Sequence, residues 1–177
     1  MKKIVLTFGF LSGGLSALMM FATLPFIDRL GFDNGAYVGY TAIVLSFLFV
    51  YFGVRSYRDN AQAGRLSFGR GFAVGLMITL ISCVCYVVAW EILYFNFMPD
   101  FVEKWSAHAV EQARASGATD AAIAAKVQQM ADFKRMYDNP FLNAAMTFAE
   151  PFPVGLLVTI VSAAVLRKRT DGPDARA

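Results

Sequence analysis

Histidine occurs once in this chain, as His108, cysteine occurs twice, as Cys83 and Cys85, and charged residues fill only 16% of the 177 positions. Each scarcity excludes something. A serine or cysteine nucleophile needs a histidine partner, and His108 has no second ligand type near it in helical register, so hydrolase and metal chemistry lack material. The two cysteines lie in one apolar stretch, roughly 200° apart around a helix, and cannot bridge each other. They read as small buried hydrophobes rather than a metal or redox pair, and no disulfide framework is present. Sixteen basic against 13 acidic residues leave a net charge of +3, too weak a bias for nucleic acid. No catalytic, metal or cofactor-binding residue is expected, and the chain is read as non-enzymatic.

What is present in excess is apolar sequence, 57% of the chain, against about 45–50% in a soluble domain. A chain this short cannot build a core large enough to hide that excess, so lipid is its natural surrounding. Four stretches reach the roughly 20 residues needed to cross a bilayer: residues 4–27, 36–54, 72–97 and a less regular one at 141–166. The first is too long for a secretory h-region of about 7–15 residues and reads as an uncleaved span. Ser67 is placed to cap the third.

The basic residues alternate from one connection to the next. Lys2 and Lys3 precede the first span, Arg55, Arg58, Arg65 and Arg70 lie between the second and third, and Arg167, Lys168, Arg169 and Arg176 follow the fourth. The first connection offers only Arg29, beside Asp28 and Asp33. Lys and Arg stay on the cytoplasmic side, so both termini are expected there. Residues 98–140 are polar with nearly balanced charge, which suits the opposite side. Pro99 fits a first helical turn, Ser116-Gly117 a stop, and Thr119-Asp120 a new start. Ile123, Val127, Met130 and Tyr137 then recur at helical spacing along one apolar face. The expected fold is all-α: an integral membrane four-helix bundle over residues 1–170. An extracytoplasmic helical hairpin at about 98–140 separates its third and fourth helices and rests on the membrane surface or on the bundle. Residues 171–177 are expected to be a disordered tail.

Two carboxylates, Glu91 and Glu150, fall within or beside spans, where ionisable groups are costly and mark functional sites. Glu91 lies about 9 Å from the end of the third span. Glu150 opens the run Glu150-Pro151-Phe152-Pro153, whose prolines cannot donate to the carbonyls of Thr147 and Ala149. Either Pro151 begins the fourth span and Glu150 is a wet interfacial carboxylate, or residues 141–149 also enter the bilayer and the helix is kinked at Glu150. In the second case the two acids form a candidate proton or ion site, with Tyr94, Asn96, Asn143 and Thr147 along the same path. The plainer reading is that both acids sit near the outer interface and fix packing.

Glycine pairs Gly9/Gly13, Gly35/Gly39 and Gly71/Gly75 have small-xxx-small spacing, which serves packing within the chain or a homo-oligomer. Trp90, Tyr94, Phe95, Phe97, Phe101 and Trp105 cluster where the third span ends, as an interfacial aromatic belt does.

Several runs, taken in order, carry a resemblance: Ser67-Phe68-Gly69-Arg70-Gly71-Phe72, Ile81 to Tyr86 and on to Trp90-Glu91, Met130 to Phe133, Tyr137 to Pro140, and Pro151 to Gly155 followed by Ser162-Ala163-Ala164. In this order and spacing the chain resembles the bacterial membrane-protein family known as domain of unknown function 4199. The resemblance implies a small four-span bacterial inner-membrane protein without an assigned activity and supplies no site residues. The reading that follows is a structural or interaction role, with the lipid bilayer as surroundings and an envelope protein as partner through residues 98–140. The alternative is a small proton- or cation-coupled transporter or channel subunit using Glu91 and Glu150.

Overall fold

Long runs of Leu, Val, Ile, Phe and Ala with few breakers favour helix, because each backbone N–H and carbonyl is then satisfied within its own segment. The computed structural model describes residues 1–168, with Asp28 seen only in its backbone, and is all-α, with no strand among the described residues. The tail at 171–177, and the end of the domain set at 1–170, lie outside the described residues. Helix α1 is Lys2–Thr23 and passes through a 3-10 turn, Leu24–Phe26, into α2, Ile27–Ala61. Then come α3 (Phe68–Phe97), α4 (Phe101–Ala115), α5 (Asp120–Tyr137), α6 (Pro140–Ala149) and α7 (Pro151–Val165). Four segments are long and apolar enough to cross a membrane: Lys2–Phe26, Arg29–Ala61, Phe68–Phe97 and Pro140–Val165.

Local chemistry sets the ends. The Ser67 hydroxyl accepts the N–H of Arg70 at 3.4 Å and caps α3 as expected. Gly117, at φ 76°, takes the left-handed turn after α4, and Thr119 caps α5 through the N–H of Ala122.

Two expectations need correction. The second helix runs beyond 36–54, since the connection expected around Arg29 and Asp33 is itself helical, with a kink at Gly31 (φ 68°, ψ 170°). The polar side chains there find partners: Asn34 donates back to the Leu30 carbonyl at 3.0 Å, and Asp33 accepts from Gln112 of α4 at 3.4 Å. Pro99 does not start a helix. It forces Met98 before it out of helical geometry (φ −138°, ψ 52°), so α4 begins only at Phe101.

The long helices alternate in direction. Phe8 lies against Gly53 while the Ser12 hydroxyl donates to the Ser46 carbonyl at 2.8 Å, so α1 and α2 are antiparallel. Gly9 faces Ile81 and Gly13 faces Cys85, which sets α1 parallel to α3. Gly75 faces Thr159 and Gly155 faces Thr79, which sets α7 antiparallel to α3. Pairs Gly9/Gly13 and Gly71/Gly75 therefore serve contacts within the chain, whereas nothing lies within 4 Å of a side chain added at Gly35 or Gly39. Hydroxyls follow the same seams: Ser12 pairs with Ser82 at 2.8 Å, and Thr79 with Thr159 at 3.0 Å. Leu6 and Phe10 of α1, Val84 and Val88 of α3, and Leu157 and Val161 of α7 keep large exposed surfaces, a ring of apolar groups with no protein cover.

Aromatic contacts fasten α4 and α5 to one end of these helices. Phe101 meets Trp90 edge-on at 5.2 Å and Phe32 at 5.8 Å, and Trp105 lies 5.2 Å from Phe133. On α5 the buried apolar residue is Met130, whereas Val127 of the expected apolar face stays 50% exposed.

The glycine seam makes a matched prediction. A methyl at Gly13 runs into Cys85 and the Ser82 backbone, whereas Gly14 has open space beside it. Gly13→Ala is expected to cost about 1–3 kcal/mol by overpacking. Gly14→Ala is expected to be neutral or to stabilise by roughly 0.5–1 kcal/mol. Thermal melts of the purified chain in detergent, read by circular dichroism, separate the two.

Candidate functional site

The fourth candidate span, Pro140–Val165, crosses the proline run, so helix extends on both sides of Glu150. Asn139 caps α6 with its side-chain oxygen, accepting from Phe141 N–H at 3.0 Å and Leu142 N–H at 3.3 Å, and Pro140 occupies the first turn. Glu150 keeps right-handed helical geometry (φ −71°, ψ −59°), so α6 runs on into α7 through a break rather than a loop. Counting from Pro140, Glu150 lies about 15 Å into the helix, and about 22 Å separate it from Val165. It sits well inside this helical stretch, with its side chain exposed.

Beside the break is a cavity of about 420 Å³ between α1, α2, α3 and the α6–α7 junction. Ser16, Tyr40, Tyr86, Trp90 and Tyr137 are part of its wall, and Glu150 is the only charged side chain among the described lining residues. Phe101 and Trp105 close it from α4, while Gly35 and Gly39 give it room on the side of α2. Tyr86 donates its hydroxyl to Glu150 Oε2 at 3.1 Å. Burial pushes the Tyr137 phenol, on α5 outside the spans, up to about 12. That phenol therefore stays a neutral part of the wall across the ordinary pH range.

Glu91 is placed differently. Its neighbour Trp90 faces the cavity, and one residue further along turns a helix by about 100°. Glu91 does not line the cavity, is half-buried, and its Oε1 is buried without a hydrogen-bond partner. The structure gives Glu150 a donor and a cavity and leaves Glu91 outside both. The four polar side chains expected along the path also stand elsewhere. Thr147 donates to Asn143 Oδ1 at 3.1 Å, and Asn143 donates to the Tyr137 carbonyl at 3.2 Å, a clamp between α5 and α6. Tyr94 reaches Asp138 at 3.4 Å, and Asn96 donates back to the Ile92 carbonyl at 2.9 Å. Trp90, expected in an interfacial belt, belongs to the cavity wall, while Phe95 and Phe97 remain exposed.

On the α4 side, His108 has a neighbour that sequence spacing did not reveal. Asp33 Oδ1 lies 3.6 Å from His108 Nε2, and Gln112 Nε2 lies 3.1 Å from the same nitrogen. No group of three or more His, Cys, Asp or Glu suited to a metal occurs among the described residues. Nearby, Lys134 lies 3.5 Å from Glu103 and 3.1 Å from Asp138, and the hydrogen bond to Asp138 lifts the Lys134 ammonium above its ordinary value. These groups are solvent-exposed and fasten α5 only weakly to α4.

The family described as Protein of unknown function (DUF4199) matches residues 7–168, a stretch that contains Tyr86, Glu91 and Glu150. The chain belongs to this family. No curated protein and no solved structure matches it. DUF4199 membership thus supplies no activity, and the chemistry of this site has to be read from the site itself.

Tyr86 is the residue that sequence reading missed. It is 64 positions from Glu150, and a tyrosine in an apolar run gives no sign of a distant partner. A double-mutant cycle tests the pairing. Tyr86→Phe and Glu150→Gln are expected to couple by about 1 kcal/mol in thermal stability, whereas Tyr86→Phe and Glu91→Gln add within roughly 0.5 kcal/mol.

Proposed function

We propose that this chain is a small proton- or cation-coupled transporter or channel subunit whose working group is Glu150. One observation carries the reading: a carboxylate with no cation among the described lining residues, opening into a cavity of about 420 Å³ at a helix break well inside a candidate span. Ionisable groups at such depth are costly and mark ion and proton pathways. Breaks in spanning helices are tolerated where they line cavities, because the freed carbonyls need partners there. The rings of Tyr40, Tyr86 and Trp90 add the negative faces that favour a cation. A proton or a small cation entering the cavity supplies the charge that Glu150 lacks. Glu91 then has no part in the pathway.

The proposal includes a setting, a bacterial inner membrane. Helix directions put Lys2, Arg55, Arg58, Arg70 and Lys168 towards one end, which we assign to the cytoplasm together with the termini. Helices α4 and α5 then form an extracytoplasmic hairpin over a four-helix bundle. A second reading is a structural or interaction role through residues 98–140. It has support in Val127 and Met136 of α5, which stay 50% and 45% exposed and offer an apolar edge to an envelope protein. Neither reading includes reaction chemistry.

Proteoliposomes with an imposed proton gradient and a trapped pH dye separate them. The native chain is expected to dissipate the gradient. Glu150→Gln is expected to slow it roughly tenfold or more, and Glu91→Gln to leave the rate near native. Equal rates for native chain and Glu150→Gln overturn the transport reading, and no flux from the native chain leaves the interaction role in its place.

A further inference from the structure

At the end of the helices away from α4 and α5 lies a second concavity, an open cleft of about 750 Å³. It is built by backbone pairing. Leu66, in the α2–α3 connection, accepts the Lys168 N–H at 3.0 Å and donates to the Lys168 carbonyl at 3.3 Å. This short antiparallel contact pins the chain beyond α7 against the start of α3. Four cations thereby line one cleft, Arg65, Arg70, Arg167 and Lys168, together with Gln62 and Ser67. No carboxylate is among the described lining residues. Asp59, an acidic residue nearby, is engaged by Arg58 at 2.7 Å and Arg55 at 3.7 Å, and lies within electrostatic reach of Lys168 without pairing with it. Arg65, Arg70, Arg167 and Lys168 make no ion pair among the described residues, although Arg70 donates to the side-chain Oε1 of Gln62 at 2.7 Å.

We propose that this cleft binds a phosphate-bearing anion, and that its source is the headgroup of an anionic phospholipid. Guanidinium groups match phosphate oxygens two at a time, and a lysine adds a point charge. The N-terminus of α3, a helix of 30 residues, adds its positive end at Ser67. The lipid is favoured over a free anion by what adjoins the cations. Phe68, 40% exposed, stacks on Phe72 at 6.1 Å along the first turns of α3, an apolar surface where acyl chains lie while the headgroup enters the cleft. Basic pockets between spanning helices hold anionic headgroups in this way.

Binding to the full-length chain in detergent, titrated with short-chain phosphatidylglycerol and phosphatidylcholine and read by thermal shift, tests this. Phosphatidylglycerol is expected to stabilise the chain and phosphatidylcholine to do so far less. Arg65→Gln with Arg167→Gln is expected to weaken phosphatidylglycerol about thirtyfold. Lys2→Gln with Arg55→Gln, which removes as many charges from the same end without touching the cleft, is expected to change it less than about twofold. Circular dichroism of each variant confirms that it remains folded. Equal effects of the two lipids, or equal losses in the two double variants, overturn the site. Inorganic phosphate that stabilises the chain at the same concentration as the lipid overturns the lipid as its source.

Discussion

Among lipid tails, pressing one apolar helix against another removes no water, so backbone approach and inter-helical hydrogen bonds decide how spans pack. This constraint organises the chain around α3. Gly9 and Gly13 of α1, Gly53 of α2 and Gly155 of α7 each give up a side chain where α3 comes closest. Ser12 with Ser82 and Thr79 with Thr159 add hydroxyl contacts along the same lines. Such hydrogen bonds contribute only about 0.6 kcal/mol each on average, so the glycines, which fix the distance, matter more than any one hydroxyl. The large side chains that remain, Phe10, Val84, Val88 and Leu157 among them, point outward without cover.

Close packing along α3 gives way where α6 meets α7. Pro151 and Pro153 remove two donors from the ladder, and Glu150 stands at that junction. On the other side, α2 is kinked at Gly31 and carries Gly35 and Gly39 without packed neighbours. Two irregular segments thus face each other across Tyr86 and Trp90, and the cavity is the space between them. A carboxylate placed there has one donor, Tyr86, and no counter-charge among the described residues of the wall. The polar residues of α6 that look available in the sequence, Asn143 and Thr147, are already engaged with each other and with the end of α5.

Much of the architecture was legible in the residues. The four long apolar helices, the Ser67 cap and the turn from Gly117 into Thr119 each rest on local signals, and local signals survive into the structure. The extension of α2 was not legible, because Asp33 and Asn34 read as a loop until Gln112 of α4 is placed beside Asp33. Glu91 and Glu150 look alike as isolated acids in apolar sequence. What separates them is which way α3 turns after Trp90 and the contact with Tyr86, both properties of packing. Asn139-Pro140 did carry the needed clue, a cap followed by a first-turn proline, which starts helix eleven residues before Pro151.

The central claim is that Glu150, exposed on the protein's own surface, opens into the cavity beside the α6–α7 break and not into bulk water. Carbodiimide labelling of the full-length protein in lipid nanodiscs, mapped by peptide mass spectrometry, addresses it most directly. The account predicts that an apolar carbodiimide modifies Glu150, that a small quaternary ammonium ion slows the reaction, and that a charged, water-soluble carbodiimide leaves Glu150 untouched. Modification of Glu150 at equal rates by the apolar and the charged reagents would contradict it and place that carboxylate at the membrane surface.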